Sequence, residues 1–395
     1  MESILLKDII QKPISGEWGL EDLYGTGIPV LRTANFTNEG IINFENVVTR
    51  NISPPKLKGK LLQKGDILLE KSGGSDRQPV GRVVYFDGQA DKYGFNNFTS
   101  ALRISDLTMW NPKYIFYALY ANYHHGGTRK YENKTTGLHN LKVDLFIRSF
   151  SVPYATLIKQ NEIVKKLDLL NHLENVCEVQ LQKLDELIKS RFLEMFGEPW
   201  VNDKEFPCYS VGQVAESVTY GTSAPASDSG QYEYLRMNNL TDNGQLDLSD
   251  LKRIDMSDEQ AEKYMVKKGD ILFNRTNSID LVGKTALFNL NNPMIIAGYL
   301  IRIRLSDKVN PVYFVAYMNM PYMKEKLRNI AKGAVNQANI NSKELKSIQI
   351  LIPPLSLQNE YCNFVLSIDK SKMAVQKSLD ELETLKKSLM QTYFG

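Results

Sequence analysis

The sequence predicts an α/β (α+β) protein in which one unit occurs twice, each copy being a mixed α/β globule followed by a long helix. Three observations support this: an order-preserving internal repeat, short β-like runs punctuated by turn residues, and two helical segments with four–three spacing of apolar residues. We expect mixed α/β domains at 1–154 and 208–354. We also expect a central helix at 155–197 and a C-terminal helix at 355–395 that pair as an antiparallel coiled coil, with a linker at 198–207.

Bulk composition excludes several classes of protein. The chain has 395 residues, of which 43% are hydrophobic and 24% charged, as in ordinary globular proteins. No apolar run reaches the roughly 18 residues of a membrane span, and the acidic first residues do not resemble a signal peptide. We therefore expect a cytoplasmic location and no membrane partner. The three cysteines are scattered, so neither a disulfide framework nor a zinc site is indicated.

The repeat covers nearly the whole chain. Lys-Gly-Asp-Ile-Leu at 64–68 returns unchanged at 268–272, and Leu-Arg-x-x-Asn-x-Thr-x-x-Gly at 31–40 returns at 235–244. The remaining matches, in the same order, are Asn-Pro-x-Tyr at 111–114 and 310–313, Gln-Asn-Glu at 160–162 and 358–360, and a closing Phe-Gly at 196–197 and 394–395. The order of these matches is evidence of duplication.

The globules are predicted from strand and helix signals. Runs such as 66–69, 81–86 and 301–305 are rich in β-formers and bounded by Gly, Asn and Asp. Lys-Gly-Asp-Ile-Leu is interpreted as a turn entering a buried strand, with Gly at positive φ. A helix is expected to begin at each Asn-Pro, with Asn111 and Asn310 as N-caps and Pro at the first helical position.

The two long helices carry a coiled-coil pattern. Apolar residues alternate four and three positions apart, with Glu174, Arg191, Lys372 and Lys386 filling the polar gaps. The seam residues that we single out are Ile163, Leu167, Leu170, Leu181, Leu184, Ile188, Val365, Ile368, Val375, Leu379, Leu382 and Leu389. The alternative is that each helix is a separate amphipathic helix packed on its own globule.

Antiparallel pairing of the helices would place one globule at each end of a rod. The segment 163–195 would be roughly 50 Å long at about 1.5 Å per residue, and one turn of B-DNA is about 34 Å. The geometry suits two DNA readers separated by an unread spacer.

Basic residues concentrate at the same place in both copies. The net charge of +3 is a weak signal for a nucleic-acid binder, but segments 123–148 and 320–346 carry excesses of three and four positive charges. Arg and Lys neutralise phosphates or pair with guanine, and Asn and Gln match adenine; solvated surface loops are the alternative. The candidate DNA-binding residues are Lys71, Arg77, His124, His125, Arg129, Lys130, Tyr131, Lys134, Thr135, Tyr220, Thr222, Ser223, Arg275, Asn277, Lys324, Arg328, Lys332, Asn336, Gln337 and Asn339.

Taken together, these segments resemble the specificity subunit of type I restriction–modification systems. The resemblance covers essentially the whole chain and includes Tyr-Gly-Thr-Ser at 220–223 and Ile-Pro-Pro-Leu at 352–355. It departs at 16–18 and at 152–155, which affects the loop alignment of the first domain. The resemblance implies an asymmetric bipartite target on double-stranded DNA. It also implies two methylation subunits that use S-adenosylmethionine and up to two restriction subunits that use ATP and Mg, with no cofactor in this chain.

Fragments that suggest an enzyme have simpler explanations. The two Asn-Pro-x-Tyr segments lack the second proline of adenine methyltransferases and are interpreted as helix caps. Gly-Lys-Thr at 283–285 lacks the first glycine of a phosphate loop. Asp66 with Glu70-Lys71 suggests a metal-dependent nuclease, but the spacing is wrong and the second copy has Asn274-Arg275 in place of Glu70-Lys71. We therefore expect no catalytic residue and no metal site. Two other functions stay open, namely a DNA reader of another restriction or methylation assembly and a non-DNA coiled-coil scaffold.

Overall fold

A computed structural model of the protein describes residues 2–135, 138–334 and 337–395, with the backbone alone described for 134, 135, 138 and 334. The chain divides into two compact units. Unit 1 comprises Met1–Cys177 and Ser378–Gly395, and unit 2 comprises Glu178–Lys377. Within the described ranges, none of the helices combines the length and apolar character needed to cross a bilayer.

Unit 1 is a mixed globule followed by helix. Its strands are β1 (Ser3–Leu5), β2 (Ile14–Ser15), β3 (Leu20–Glu21), β4 (Ile28–Leu31), β5 (Val48–Asn51), β6 (Ile67–Glu70), β7 (Ser72–Gly74), β8 (Val83–Tyr85), β9 (Gly94–Phe95), β10 (Thr99–Leu102), β11 (Glu132–Thr135), β12 (Leu138–Leu141) and β13 (Ser151–Pro153). Its helices are α1 (Pro54–Leu57), α2 (Pro112–His124), α3 (Val143–Ser149) and the first half of α4 (Leu157–Phe196). A 3-10 helix at Arg129–Tyr131 leads into β11.

Unit 2 repeats this order. Its strands are β14 (Cys208–Ser210), β15 (Ala215–Tyr220), β16 (Tyr232–Leu235), β17 (Lys252–Ile254), β18 (Met265–Val266), β19 (Ile271–Asn274), β20 (Thr276–Asn277), β21 (Thr285–Leu287), β22 (Met294–Ile296), β23 (Leu300–Leu305), β24 (Lys332–Ala334), β25 (Gln337–Asn339) and β26 (Gln349–Leu351). Its helices are α5 (Val211–Val214), α6 (Asp258–Tyr264), α7 (Pro311–Met318), α8 (Pro321–Ile330), α9 (Ser342–Ser347) and the first half of α10 (Leu355–Phe394).

Three sheets of unit 1 match three sheets of unit 2 in topology. The order β2-β10-β6-β8 in unit 1 corresponds to β15-β23-β19-β21 in unit 2. The three-stranded sheet β11-β12-β7 corresponds to β24-β25-β20, and the pair β1-β13 to β14-β26. A further sheet has the order β3-β5-β4-β9 in unit 1 and β17-β16-β22-β18 in unit 2. Both versions contain one parallel pair, but the edge strand β3 pairs with β5 whereas the edge strand β18 pairs with β22. The predicted mixed α/β fold with two long helices is confirmed, and the structure retains the duplication.

The Lys-Gly-Asp-Ile-Leu segment has the same structural role in both units. Its glycine has φ 98° in unit 1 and 97° in unit 2, as a left-handed turn requires. The following aspartate pairs with an arginine at the end of the neighbouring strand. Asp66 pairs at 2.7 Å with Arg103, which directly follows β10, and Asp270 pairs at 2.8 Å with Arg304 of β23. The turn and buried strand predicted for this segment are confirmed.

A buried glutamine joins each globule to its long helix. The Asn111 side chain caps α2 by accepting a hydrogen bond from the Lys113 backbone amide. The Asn111 backbone amide in turn donates to Gln160 Oε1 at 2.8 Å. Asn310 and Gln358 repeat this arrangement at the same distance. Both glutamine side chains are fully buried and also donate to backbone carbonyls. The helix-cap interpretation of Asn-Pro is therefore confirmed.

The halves of α4 and α10 lie antiparallel within each unit. In unit 2, Asp185 pairs with Lys372 at 2.6 Å and Arg191 with Glu360 at 2.9 Å, so partner numbers fall as residue numbers rise. The predicted seam residues are buried or half-buried in both helices. The predicted antiparallel coiled coil is confirmed, and the unit boundary falls within both helices because each unit contains half of each.

Some element bounds differ from the sequence predictions. The strand predicted at 81–86 is shortened to β8 because Gly81 has φ 110°, which breaks the extended backbone before Val83. Both long helices contain 40 residues. Helix α4 begins at Leu157, before the heptad pattern that starts at Ile163. The segment 198–207 packs against unit 2, since Phe206 contacts its core and Trp200 lies 5.3 Å from the Tyr322 ring.

Candidate nucleic-acid interface

Three predicted residues of unit 2 meet at the end of β19. The Arg275 guanidinium lies 4.8 Å from the centre of the Tyr220 ring, and its Nη2 donates to Asn339 Oδ1 at 2.9 Å. The Ser342 amide donates to the Tyr220 hydroxyl at 2.7 Å. Burial is the largest single influence and raises the pKa of Tyr220. The hydrogen bonds from Ser342 and the charge of Arg275 together outweigh burial, so the pKa lies below its ordinary value. The three side chains form a fixed cationic group, which we call the Arg275 cluster.

Unit 1 holds a lysine at the end of β6. Lys71 Nζ donates to Ser15 Oγ at 3.0 Å, and burial lowers the pKa of its ammonium group. The ammonium group has three donors, and burial removes part of its hydration, so an anionic or strongly accepting ligand would stabilise its charged form.

The three-stranded sheet of unit 1 is pinned to the loop after β7. His139 Nδ1 lies 2.8 Å from Glu132 Oε2, and the other oxygen of Glu132 accepts the Val80 amide at 3.1 Å. His139 Nε2 lies 3.6 Å from an Asp76 carboxylate oxygen. Both the histidine and the glutamate side chains are buried, so these contacts hold the hairpin base against the loop that carries Arg77.

Five predicted residues of unit 1 lie around the same loop. The Tyr123 hydroxyl at the end of α2 donates to the Pro79 carbonyl at 3.1 Å, which ties the loop to this helix end. The exposed predicted residues on the loop, the helix end and the following 3-10 helix are Arg77, His124, His125, Arg129 and Lys130. Burial is the main cause that lowers the pKa of His124, so the positive charge here comes from the arginines and lysine.

A second basic group of unit 2 surrounds α8. Lys324 Nζ donates to the Asp242 carbonyl at 2.9 Å, and Lys284 pairs with the Asp242 carboxylate at 3.1 Å. Burial lowers the pKa of Lys324, and the neighbouring charges of Lys284, Lys189 and Arg328 lower it further, although Asp242 acts in the opposite direction. The cations outnumber their acidic neighbour, so the group is suited to phosphate contacts.

Two predicted DNA-binding side chains are buried, and for these the prediction is corrected. The Tyr131 ring packs in the core, 5.4 Å from the Phe146 ring, and cannot stack on a base. Thr222 is also buried, and its hydroxyl accepts the Ala224 amide at 3.1 Å within a turn. Side-chain character suggested contact with DNA, but packing assigns both residues structural roles.

The other predicted residues lie on or beside the two hairpins. Ser223, Lys332 and Gln337 are exposed, Asn277 is half-buried, and Lys332 pairs with Glu344 at 2.7 Å. For Lys134 and Thr135 the structure describes only their places on β11, and Asn336 lies outside the described residues.

The sequence predictions missed the neighbours of the two cations. Ser15 was not singled out, although it contacts Lys71. Phe98 and Tyr299 are about half exposed, at 49% and 51%, and their carbonyls accept the Lys71 and Arg275 amides. Aligning the repeat copies around Lys71 and Arg275 would have revealed these two aromatic residues.

Comparisons with known proteins agree with this architecture. Residues 204–384 match the family described as the type I restriction modification DNA specificity domain. The Escherichia coli type I restriction enzyme EcoKI specificity subunit is 23% identical over 394 residues, covering 93% of this chain and 82% of that protein. The chain is thus similar to a type I specificity subunit over most of its length, and its residues 204–384 match a DNA specificity domain.

Other comparisons are more limited in extent or in identity. A putative type I restriction enzyme MjaX specificity subunit of Methanocaldococcus jannaschii is 29% identical, but the alignment spans 46% of this chain and 43% of that protein. The solved type I S subunit from M. genitalium matches the whole chain and 96% of its own length at TM-score 0.59 and 13% identity. A second solved structure is described as the basis of complex assembly and conformational transition of the type I R-M system. It has a TM-score of 0.58 and 16% identity to this chain, and the match covers 100% of this chain and 97% of that one. These two likenesses show the fold.

The relatives that match this chain over most of its length are named as specificity subunits of type I restriction enzymes. The residues that suggested enzymes have structural contacts: Asp66 pairs with Arg103, and Glu70 pairs with Arg82 at 3.1 Å. These ion pairs assign both carboxylates structural roles.

Proposed function

We propose that this chain recognises a bipartite, asymmetric DNA sequence, with target-recognition domains at 1–154 and 208–354. The helices at 155–197 and 355–395 hold the domains at a set interval, and residues 198–207 connect them. The observation that carries the proposal is that two units of one topology present different side chains at equivalent surface positions, Lys71 in one and Arg275 in the other. Two related readers with different contact residues suit two different half-sites.

The proposal extends to partners and cofactors. Two methylation subunits bind S-adenosylmethionine and methylate adenine, and up to two restriction subunits use ATP and Mg, while this chain directs both to the target. The complex acts in the cytoplasm on double-stranded DNA. This assignment is supported by the similarity of the chain to a type I specificity subunit over 93% of its length.

Mapping of methylated adenine tests the function. The full chain, produced with its methylation subunits in a host that lacks adenine methylation, should place methyl groups within one split motif of two unequal halves. The same host carrying the methylation subunits without this chain is the control. Methylation scattered without a motif, or an unsplit motif, would contradict the proposal.

Replacing Arg129 and Lys130 with Ala should weaken DNA binding by the assembled complex without unfolding the chain. Both side chains are exposed, so folding stability should change by less than about 0.5 kcal/mol. The slope of log affinity against log salt should fall by about one for each DNA phosphate that the variant no longer neutralises. Fluorescence anisotropy at several salt concentrations measures both the affinity and its salt slope.

The matched control for that pair is Lys387→Ala, because Lys387 is 80% exposed on α10 and lies outside the candidate interface. This control should leave the salt slope unchanged. Equal affinities for the double variant and the unaltered chain would place the phosphate-binding residues elsewhere.

A further inference from the structure

Lys71 and Arg275 occupy the same position in the two copies of the repeat. Each directly follows the second central strand of its sheet, β6 or β19. The Lys71 amide donates to Phe98 and its carbonyl accepts from Leu141, both at 2.8 Å. The Arg275 amide donates to Tyr299 at 3.0 Å and its carbonyl accepts from Ile340 at 2.8 Å. The backbone is therefore equivalent at the two sites, and only the side chains differ.

The surroundings of the two cations differ in chemistry. Arg275 is stacked on an aromatic ring and bonded to the Asn339 amide oxygen, and both contacts restrict the orientation of the guanidinium plane. Lys71 contacts a serine hydroxyl, which leaves the ammonium group free to rotate about its bond. One cation is thus a fixed planar fork and the other is a point charge.

The donors of Arg275 can be accounted for one by one. A guanidinium has five N–H donors. One Nη2 donor goes to Asn339 at 2.9 Å, one Nη1 donor approaches the Gly298 carbonyl at 3.4 Å, and Nε is buried with no acceptor. One hydrogen on each Nη nitrogen therefore remains. Where these are the two hydrogens that point away from Nε, they are parallel and match O6 and N7 of guanine.

We infer that this equivalent pair of positions, Lys71 and Arg275, determines which base each half of the chain accepts, with Arg275 selecting guanine through two hydrogen bonds. Lys71 can donate to a guanine or to a phosphate and is less selective between them, because an ammonium group has no planar fork. This inference rests on the proposed function and adds the residues that make the two half-sites unequal. A purely structural role for Arg275, bracing the hairpin through Asn339, is the competing explanation.

Methylome sequencing of variants of the full chain with its methylation subunits tests the inference. Arg275→Lys should relax one guanine position in one half-site, with methylation at sites carrying another base there rising about 10-fold relative to the original motif. The other half-site should stay unchanged. Lys71→Arg should have the converse effect, with a stricter base requirement in the opposite half-site.

Arg253→Lys is the matched control, because Arg253 bonds only the backbone carbonyls of Gly230 and Gln231 among the contacts described for its guanidinium. It should leave both half-sites intact. Two outcomes for Arg275→Lys would assign Arg275 a bracing role and overturn the inference. One is a methylated motif identical to that of the unaltered chain, and the other is a uniform loss of methylation at every site. If Arg275→Lys does not fold, Lys71→Arg decides the question alone. Absence of any split motif in the unaltered chain would instead overturn the proposed function.

Discussion

Replacing Lys386 with Glu should lower the free energy of unfolding by about 3 kcal/mol. Lys386 occupies a seam position of α10, and its Nζ lies 2.6 Å from Glu174 Oε2 of α4. The two side chains are only 19% and 13% exposed, so the new glutamate would place two carboxylates together away from water. Breaking a buried pair in this way costs about 3–5 kcal/mol. Urea denaturation of the full chain, followed by circular dichroism, measures the change.

Two further variants separate the seam from general charge effects. Lys387→Glu alters the adjacent residue, which is 80% exposed and contacts Glu383 at 3.7 Å, so its effect should stay below about 1 kcal/mol. Combining Lys386→Glu with Glu174→Lys restores opposite charges and should recover most of the stability. Equal stability of the Lys386→Glu and Lys387→Glu chains would show that the seam pair does not hold the helices together.

Matched insertion of one heptad into both long helices should change the spacer of the recognised motif. Seven residues placed after Cys177 and seven after Lys377 fall at the unit boundary, so the helix halves within each unit keep their contacts. A heptad adds about 10.5 Å, equivalent to about three base pairs at 3.4 Å each. Methylation at the original motif should fall at least about 100-fold, because only one half-site then fits.

Selection from DNA libraries whose spacer varies one base pair at a time measures the new optimum. The control is the heptad inserted into α4 alone, which shifts the seam of one helix against the other and should reduce folding stability. Methylation of the original motif at the original spacing by the doubly lengthened chain would contradict the idea that the helices set the interval.

The sequence alone determined the features that depend on local pattern or on repetition. Heptad spacing around Leu167 and Leu379 predicts a seam because side chains three and four positions apart share a helix face. Asn111 and Asn310 cap helices by bonding within two residues, so their role needs no distant partner. The duplication also required no structure, because matched segments in the same order are visible in the chain itself.

Only the tertiary structure decided which side chains are available and which ones are partners. Tyr131 and Arg129 are two residues apart and both suggested DNA contact, but the ring is buried in the core and the guanidinium is exposed. Glu174 and Lys386 were visible as polar gaps, whereas their pairing depends on antiparallel helices that bring together residues far apart in the chain. Burial and long-range pairing result from the way the chain packs against itself, and periodicity within a short window does not contain that information.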